Sequence, residues 1–440
     1  MISILTTILL LISLYPISLP FLSNFVRNQL DNHFHTYYVD FDTLRTRWHP
    51  FEGKIEFHLD SAKAVDYGNN NIATVPEVII VVDTDTIFRK HKKLQSVELH
   101  NPKISLIRSH GGAFKFDIGN THDGSSGRIL ETILIHVATT PKIHHQNTHE
   151  STNIKIISSD LTLGDEITGS LLHAPNANIE LSPDVNGVNC NYKFNVFARG
   201  EYINILGDCL YNTRSKSFSL SIQPDKVRPA LLTEFFPQFS YLTPLEVHLS
   251  GNIQLEFDDL LNAKMATFDI TSDNGTLEVS EVLGNNLEIN SLHVIGRALN
   301  EFSHIELDQL SIDLKENNIQ AEALILIDKS ILDINLNAFI KGNSILDLLP
   351  HWFEYINSEE LYCIENNDEL FRHTSISFNG TYDLNQENIN ALGHVKCHEV
   401  LLSSNTQKYS LEDYLNSTIK SDLNFRIDGA LNAPNLVTAQ

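Results

Sequence analysis

The sequence is short of cysteine, of positive charge and of long apolar runs. Four cysteines in 440 residues cannot form the disulfide framework of a small secreted domain. The 31 basic side chains are outnumbered by 55 acidic ones, so the formal net charge is −24, and no lysine- or arginine-rich tract occurs. Because clustered cations provide the affinity for phosphate groups, this balance excludes nucleic acid as a partner and argues against a polybasic headgroup site. The 42% hydrophobic content excludes a chain that is disordered throughout.

Motifs of catalysis and cofactor binding are also absent. The sequence has no Gly-x-Ser-x-Gly elbow, P-loop, His-Glu-x-x-His or dinucleotide fingerprint. Its one histidine cluster consists of His136, His144, His145 and His149. The nearby Pro141 and polar residues predict a solvated loop there rather than a metal site. We therefore predict neither an enzyme nor a bound metal or cofactor.

One long apolar run opens the chain. No charged residue occurs from Ile2 to Val26, and a bilayer core needs roughly 20 helical residues. The basic region of a signal peptide is missing, and so is an Ala-x-Ala cleavage site, since the first alanine is Ala62. These features favour an uncleaved transmembrane helix over residues 2–26. A cleaved signal peptide and a hydrophobic core helix are the alternatives.

Strand-like alternation dominates from about Thr36 onward. Ile55, Phe57 and Leu59 alternate with polar residues, and the same period of two recurs along most of the chain between Gly-, Asn-, Asp- and Ser-rich turns. The sequence therefore predicts an all-β, mainly antiparallel fold of repeating strands. Helical patterns are few and cover residues 128–137, 228–239 and 344–356.

A sheet with one apolar face can keep that face from water in two ways. A second layer can cover it, as in a sandwich, or the sheet can curl into a groove that holds apolar ligands. Acyl chains are the obvious ligand, because about 0.8 kcal/mol is gained per buried methylene. Periodicity is the same in both cases, so ordinary core packing stays open for every candidate. The candidate groove residues are Ile55, Phe57, Leu59, Val97, Leu99, Phe114 and Phe116.

One hairpin can be predicted in register. Two alternating runs, 190–198 and 201–209, are separated by the dipeptide Arg199-Gly200, which suits a two-residue turn. In such a hairpin Cys190 lies opposite Cys209, within the Cα separation that a disulfide requires. A disulfide between them is one interpretation, and two reduced cysteines that pack as small hydrophobic residues are the other.

An ordered set of features lies behind the apolar run, from Phe51 to Gly119. The set comprises an amphipathic strand (Ile55 to Leu59), a turn (Ala64 to Gly68), Val75-Pro76-x-Val78-x-Ile80, a basic segment (Arg89 to Lys93), Val97-x-Leu99-x-x-Pro102-x-Ile104-x-Leu106-x-Arg108, a Gly111-Gly112 turn and Phe114-x-Phe116-x-Ile118-Gly119. In this order it resembles the amino-terminal module of the AsmA-like superfamily, which includes the YhdP and TamB groups of Gram-negative envelope proteins. Weaker likenesses follow at Ser159 to Leu181, at Leu242 to Phe257 and at Gly429 to Pro434.

The resemblance implies a division of the chain. It implies a transmembrane anchor over residues 1–26, an AsmA-like β module over 27–120, a second β module over 121–240 and a repeating β region like the centre of YhdP over 241–440. The chain ends directly after a repeat-like motif, which leaves open a short family member or a fragment.

The resemblance also implies a function. The expected protein is single-pass in the inner membrane, with the bulk of the chain in the periplasm, and its hydrophobic groove is a passive conduit for phospholipids between the inner and outer membranes that supports envelope integrity. Its partners are phospholipid acyl chains, the inner membrane through residues 2–26, and other envelope proteins. A non-transporting envelope scaffold with a closed core is the alternative. A secreted β-rich enzyme or adhesin is a third possibility, against which the missing catalytic motifs count.

Overall fold

The structure is a computed structural model of the chain. It describes residues 13, 15–31, 37–84, 94–110, 114–119, 153–167, 169–198, 200–235, 242–258, 263–278, 286–300, 302–315, 317–328, 330–342, 372–384, 386, 388–399, 418–430 and 435–439.

The chain divides into two compact units. Unit 1 comprises Met1–Ile222 and Glu234–Gln238, and unit 2 comprises Gln223–Thr233 and Phe239–Gln440. The described residues of both units are mainly β-strands, with the helices α1 (Pro20–Asp31) and α2 (Pro229–Phe235). The predicted β-rich, mainly antiparallel fold with few helices is thereby confirmed. The divisions at residues 26, 120 and 240 stay predictions.

Unit 1 is built on long strands. Its strands are β1 (Ile17–Ser18), β2 (Tyr37–Asp40), β3 (Thr43–His49), β4 (Lys54–Asp66), β5 (Asn71–Asp83), β6 (Leu94–His100), β7 (Lys103–Arg108), β8 (Phe114–Ile118), β9 (Asn153–Asp165), β10 (Ser170–Pro183), β11 (Gly187–Ala198) and β12 (Glu201–Asn212). β13 (Phe218–Pro224) lies at the boundary between the units in the sequence.

Most pairings in unit 1 are antiparallel, and one strand makes the exception. β1 pairs with β3, β2 and β3 pair with β4, and the ladder continues through β5 to β6. β9, β10, β11 and β12 form a second antiparallel run, and β8 pairs with β7. β9 joins the two runs, because it lies parallel to both β6 and β7. The pairs Leu99–Ile156 and Ile104–Leu161 have the same offset, so β6 and β7 act as one interrupted strand beside β9.

The break between β6 and β7 has a counterpart at the same level of β9. Asn101 and Ser158 lie at equivalent positions, and both have a left-handed backbone, with φ of 52° and 54°. The Asn101 amide donates to the carbonyl of Ile157 at 2.9 Å, and the Asp160 amide donates to the carbonyl of Pro102 at 3.0 Å. These bonds keep the strands paired across the bend.

The bend also preserves the apolar face. Ile156 of β9 lies opposite Ile179 of β10, and Ser159 lies opposite Ala177, which is two residues from Ile179 and on the same face. Ile156 and Ser159 therefore share that face although they are three residues apart. Leu161 follows Ser159 on it. Before the bend the residues on this face of β9 have even numbers, and after it they have odd numbers. The bend therefore keeps the apolar side chains on one face although their spacing in the sequence changes.

The start of the chain differs from the expected single apolar helix. Ile17 pairs with Thr46 of β3, and α1 begins only at Pro20, because prolines at 16 and 20 interrupt a helical ladder. Val26 of α1 is buried against the sheet. Within the part of the chain that the structure describes, neither helix has the length and apolar composition needed to cross a bilayer. Residues 2–12 and 14 of the predicted 2–26 helix lie outside the described part.

Unit 2 is a sequential antiparallel ladder. Its strands are β14 (Leu245–Glu246), β15 (Leu249–Phe257), β16 (Ala263–Ser272), β17 (Gly275–Leu277), β18 (Leu287–Leu299), β19 (His304–Leu314), β20 (Asn317–Asp328), β21 (Ile331–Gly342), β22 (Arg372–Asp383), β23 (Asn388–Glu399), β24 (Thr418–Ala430) and β25 (Asn435–Ala439). β18 pairs with β17 at its start and with β16 at its end. From β18 to β25 each strand pairs with the next.

The three predicted helices have different outcomes. α2 lies within the predicted range 228–239, and that prediction is confirmed. The predicted helices over 128–137 and 344–356 lie outside the described residues, as do the histidines of the candidate cluster.

Candidate functional site

The most extensive candidate site is one face of the sheet in unit 2. β20 and β21 pair from Asn317 opposite Gly342 to Asp328 opposite Ile331, without a register shift. Ile325 therefore faces the same way as Ile334, and the next pair, Leu324 with Asn335, faces the other way. Side chains alternate between the two faces along each strand, and paired residues on neighbouring strands lie on the same face. Each further strand therefore extends both faces of the sheet.

The register carries this apolar face across nine strands. It consists of Leu249, Ile253 and Leu255 of β15; Ala266, Phe268 and Ile270 of β16; Leu292, Val294 and Ala298 of β18; Ile305, Leu307, Leu310 and Ile312 of β19; Ile319, Ala321, Ala323, Ile325 and Ile327 of β20; Leu332, Ile334, Leu336, Ala338 and Ile340 of β21; Ile376, Phe378 and Tyr382 of β22; Ile389, Ala391 and Val395 of β23; and Phe425 and Ile427 of β24. We call this set the unit 2 apolar face.

Several large side chains of the unit 2 apolar face are only half-buried. Ile253, Phe268, Ile334, Leu336 and Phe378 all retain part of their surface exposed. In a two-layer sandwich such inward-facing side chains interdigitate with a second sheet and lose almost all contact with water. Their exposure is thus unlike that of a closed core.

A closed core exists at one end of the same face. Val247, Ile289, Leu292 and Leu314 form a buried cluster there. Partly buried neighbours pack around it: Leu245, Leu249, Leu277, Leu287, Val294, Leu310, Ile312 and Ile319. The short strands β14 and β17 contribute to this cluster, so the face is covered at that end. Further along, buried side chains such as Ile340, Val395 and Phe425 lie beside half-buried ones such as Leu336 and Phe378.

Glycine residues lie beneath some of the rings on the face. Gly393 of β23 lies opposite Phe425 of β24, and a Cβ at Gly393 would lie 2.0 Å from the ring. Gly296 of β18 lies opposite Phe268 of β16 in a similar way, and a Cβ there would lie 2.7 Å from that ring. Each glycine therefore gives an aromatic ring room to lie across the neighbouring strand.

The opposite face of unit 2 carries cross-strand polar pairs beside scattered apolar side chains such as Leu326 and Leu392. The Arg297 guanidinium donates to the Glu306 carboxylate on the neighbouring strand, and this hydrogen bond holds the pKa of Glu306 below its usual range. His293 and Asp269 form a similar cross-strand pair at 2.8 Å. The sheet thus has one nearly continuous apolar side and one mixed side that carries the ion pairs.

The groove residues predicted in unit 1 lie together on one face. Ile55, Phe57 and Leu59 of β4 lie opposite Val82, Ile80 and Val78 of β5. Val97 and Leu99 of β6 lie opposite Ile80 and Val78 in turn, so all five predicted residues share a face. Phe116 of β8 shares it too, because it pairs with Leu106, which pairs with Leu163 of β9. Phe114 lies on β8 like Phe116 and pairs with Arg108 of β7. The side chain of Phe114 lies outside the described residues.

These predicted residues differ in how far they are covered. Leu59 is completely buried in a cluster with Val26 of α1, Phe41, Leu44 and Ala62, so it belongs to a closed core. Phe57 packs against that cluster. The remaining predicted residues whose side chains are described are half-buried: Ile55, Val97, Leu99 and Phe116.

The covering of Leu59 is a feature that the sequence analysis missed. Leu22, Val26 and Leu30 of α1 all contact the cluster. Their spacing of four residues is the signal for a helix that lays one stripe on a core. The uncharged composition of the whole segment concealed this stripe.

The other face of unit 1 carries a network of charges. The Arg45 guanidinium donates to the carboxylates of Asp60, with Nε–Oδ2 at 2.9 Å, and of Glu77, at 3.0 Å. His58 lies between Glu77, at 3.0 Å from Nδ1, and Glu56, at 3.3 Å from Nε2. Burial opposes ionisation of Asp60, but hydrogen bonds from Arg45 and Thr43 hold the pKa of Asp60 below its usual range. Among the described residues, no group of His, Cys, Asp and Glu is arranged to hold a metal ion.

The predicted hairpin register is confirmed. β11 and β12 pair from Ala198 opposite Glu201 to Cys190 opposite Cys209 and beyond. Both cysteines are buried and are free thiols in this structure. A hydrogen bond with Cys190, together with burial, raises the pKa of the Cys209 thiol. The disulfide stays a prediction.

Tyr192 extends the apolar side of this hairpin. It lies opposite Gly207, and its hydroxyl donates to the carbonyl of Ser221 at 2.7 Å. Its ring stacks on Phe194 with a centroid separation of 5.6 Å. Burial raises the pKa of Tyr192, so the hydroxyl stays protonated and keeps its donor role.

Comparison of the chain with protein-family models, with curated proteins and with solved structures finds no match in any of the three.

Proposed function

We propose that this chain is a passive lipid carrier, which holds phospholipid acyl chains on the unit 2 apolar face and lets them move along it. The observation that carries the proposal is the half-exposed state of large aliphatic and aromatic side chains across successive strands. A continuous apolar face whose large side chains are not fully buried offers a surface to which another apolar group can bind.

Acyl chains fit this face by their chemistry. Ile325, Ile334 and Leu336 offer only hydrocarbon to a ligand, and burial of each methylene contributes about 0.8 kcal/mol. A headgroup would stay in water at the rim, because an unpaired charge on such a face loses its solvation. Sliding along the face breaks no directional bonds, so such movement needs no catalytic residue.

The proposed setting is the envelope of a Gram-negative bacterium. The resemblance of residues 51–119 to the AsmA-like superfamily supports a place at the inner membrane, with the bulk of the chain in the periplasm. The uncharged run of residues 2–26 supports contact with that membrane. In this setting the chain would carry phospholipid between the inner and outer membranes along a curled apolar sheet.

A photoactivatable lipid tests the proposal on the full chain. Phosphatidylcholine with a diazirine in its acyl chain is incubated with the protein, irradiated, and the adducts are mapped by peptide mass spectrometry. We expect adducts on peptides that contain the unit 2 apolar face. Their absence there would overturn the proposal and favour the scaffold with a closed core.

Two neighbouring residues provide matched variants for this experiment. Leu336 lies opposite Ala323 and Phe378 on the apolar face, and Asn337 lies opposite Glu322 and Ser377 on the polar one. We expect Leu336→Gln to reduce adduct yield on unit 2 several-fold, because an amide then interrupts the hydrocarbon surface. Asn337→Gln should leave the yield unchanged. Equal yields from both variants would contradict binding at this face.

A further inference from the structure

The outer side of the β11–β12 hairpin carries an exposed aromatic pair near its turn. Phe197 and Tyr202 lie directly opposite each other, and their ring centroids are 5.0 Å apart with the ring planes tilted by 55°. Phe197 keeps 53% of its surface exposed and Tyr202 keeps 72%. The neighbouring residues Val196 and Ile203 point to the opposite side of the sheet and are buried. The hairpin therefore packs through that other side, and neither ring belongs to the core.

A row of three asparagines crosses the strands beside this pair. Asn195 of β11 lies opposite both Asn176 of β10 and Asn204 of β12. Asn195 and Asn204 are each two residues from one of the aromatic rings, so the row and the rings share one face. Asparagine is depleted in strands, because its side chain competes for backbone hydrogen bonds. Strand formation thus does not explain three asparagines at one level of adjacent strands.

The amides of this row are open to a ligand. Asn176 and Asn204 are exposed, and Asn195 is half-buried between them. Among the described residues, none donates a hydrogen bond to Oδ1 of Asn195, although this atom is buried. A buried acceptor without a donor is unfavourable, and rotation of the amide toward an N–H or O–H group of a ligand would satisfy it. Each amide of the row can both donate and accept.

The spacing of the row and the charge of the chain indicate the class of ligand. Neighbouring strands lie about 4.8 Å apart, so the row offers one amide per strand at intervals close to the length of one sugar unit in an extended glycan. Sugar rings have apolar C–H faces that stack on aromatic rings, and their hydroxyl and acetamido groups pair with side-chain amides. The net charge of −24 repels acidic glycans, which leaves neutral ones.

We propose that the asparagine row and the aromatic pair together bind a neutral glycan of N-acetylated hexose units, which lies across β10, β11 and β12. The apolar faces of its sugar rings contact Phe197 and Tyr202. Its acetamido groups accept hydrogen bonds from the asparagine Nδ2 atoms and donate to the Oδ1 atoms. Leu206, two residues from Asn204 on the same face and 39% exposed, provides an apolar contact for an acetyl methyl group. This site goes beyond the proposed function, because its occupation needs no lipid on the unit 2 apolar face.

Titration calorimetry of the full chain with chitohexaose, a hexamer of N-acetylglucosamine, tests the proposal. We expect the wild-type chain to bind this probe and Tyr202→Ala to weaken binding by about tenfold, because a stacking surface is lost. Asn204→Leu should weaken binding several-fold, since it removes one amide of the row. Tyr67→Ala is the matched control and should leave the affinity unchanged, because Tyr67 is as exposed (73%) but lies in the turn between β4 and β5. Circular dichroism checks that each variant keeps its strand content.

Three outcomes would overturn the proposal. They are absence of chitohexaose binding by the wild-type chain, equal losses of affinity in Tyr202→Ala and Tyr67→Ala, and a dimer of the chain that Tyr202→Ala dissociates in sedimentation velocity. The last outcome would assign this face to a second copy of the chain. The result is separable from the proposed function, since diazirine-lipid adducts report on the unit 2 apolar face and chitohexaose binding reports on the hairpin of unit 1.

Discussion

The two units have the same alternation of apolar and polar residues, but their apolar faces are covered to different extents. In unit 1 a helix covers part of the apolar face, and Leu59 is completely buried beneath it. In unit 2 a closed cluster occupies one end of the face, and large side chains such as Leu336 and Phe378 further along stay half-exposed. Alternation therefore defines which side of a sheet is apolar, and covering elements decide whether that side is closed or stays half-buried.

Two leucine truncations test this difference between the units most directly. Leu59→Ala should lower the free energy of unfolding by about 2–5 kcal/mol, because it leaves a cavity in a closed cluster. Leu336→Ala should cost less than half as much, since the half-exposed side chain has fewer contacts to lose. Denaturant titration followed by circular dichroism measures both variants, with separate midpoints fitted where the units unfold separately. Similar losses for the two would mean that Leu336 also belongs to a closed core.

A second, smaller effect is expected at the glycine beneath Phe425 in unit 2. Gly393→Ala places a methyl group where the ring now lies, so the ring must shift, at a cost of about 1–3 kcal/mol. Phe425→Ala removes the obstacle and is itself destabilising, because the ring is buried. The double variant should then cost less than the sum of the single variants. Strict additivity in this cycle would contradict the idea that Gly393 provides room for the ring.

Much of this arrangement could be predicted from particular residues. The alternation of Ile55, Phe57 and Leu59 predicted the strand and its apolar side, and the Arg199-Gly200 turn fixed the register that places Cys190 opposite Cys209. Both signals are local, since strand period and turn length depend on a few neighbouring residues.

Other features depended on contacts distant in sequence and could not be predicted in this way. The parallel placement of β9 beside β6 and β7 joins residues separated by more than fifty positions, and no local pattern specifies it. The cover that α1 provides for Leu59 depends on how Pro16 and Pro20 divide an apolar run that reads as one helix. The exposure of an apolar side chain follows from such covering and not from the strand period.

The smallest expected effect concerns the polar faces, where the units also differ. Asp60 in unit 1 accepts hydrogen bonds from Arg45 and Thr43, and its pKa is lowered in the folded state. A lowered carboxyl pKa contributes stability that is fully present above the unfolded value of about 4 and is lost as the pH falls through the folded value. Asp60→Asn should therefore reduce the free energy of unfolding by up to about 1 kcal/mol at pH 7, a size that reflects the partial exposure of the pair.

This difference between the wild type and Asp60→Asn should shrink as the pH is lowered below 4, because protonation then removes the charge from the wild-type carboxyl as well. Asp269 of unit 2 is the matched control, since it pairs with His293 and its side chain is far more exposed than that of Asp60. Asp269→Asn should change stability less than Asp60→Asn at pH 7. Urea titrations of both variants at pH 7 and pH 3 measure the two differences. An Asp60→Asn deficit of equal size at both pH values would show that the carboxylate charge does not stabilise unit 1, and the polar faces would then not distinguish the two units.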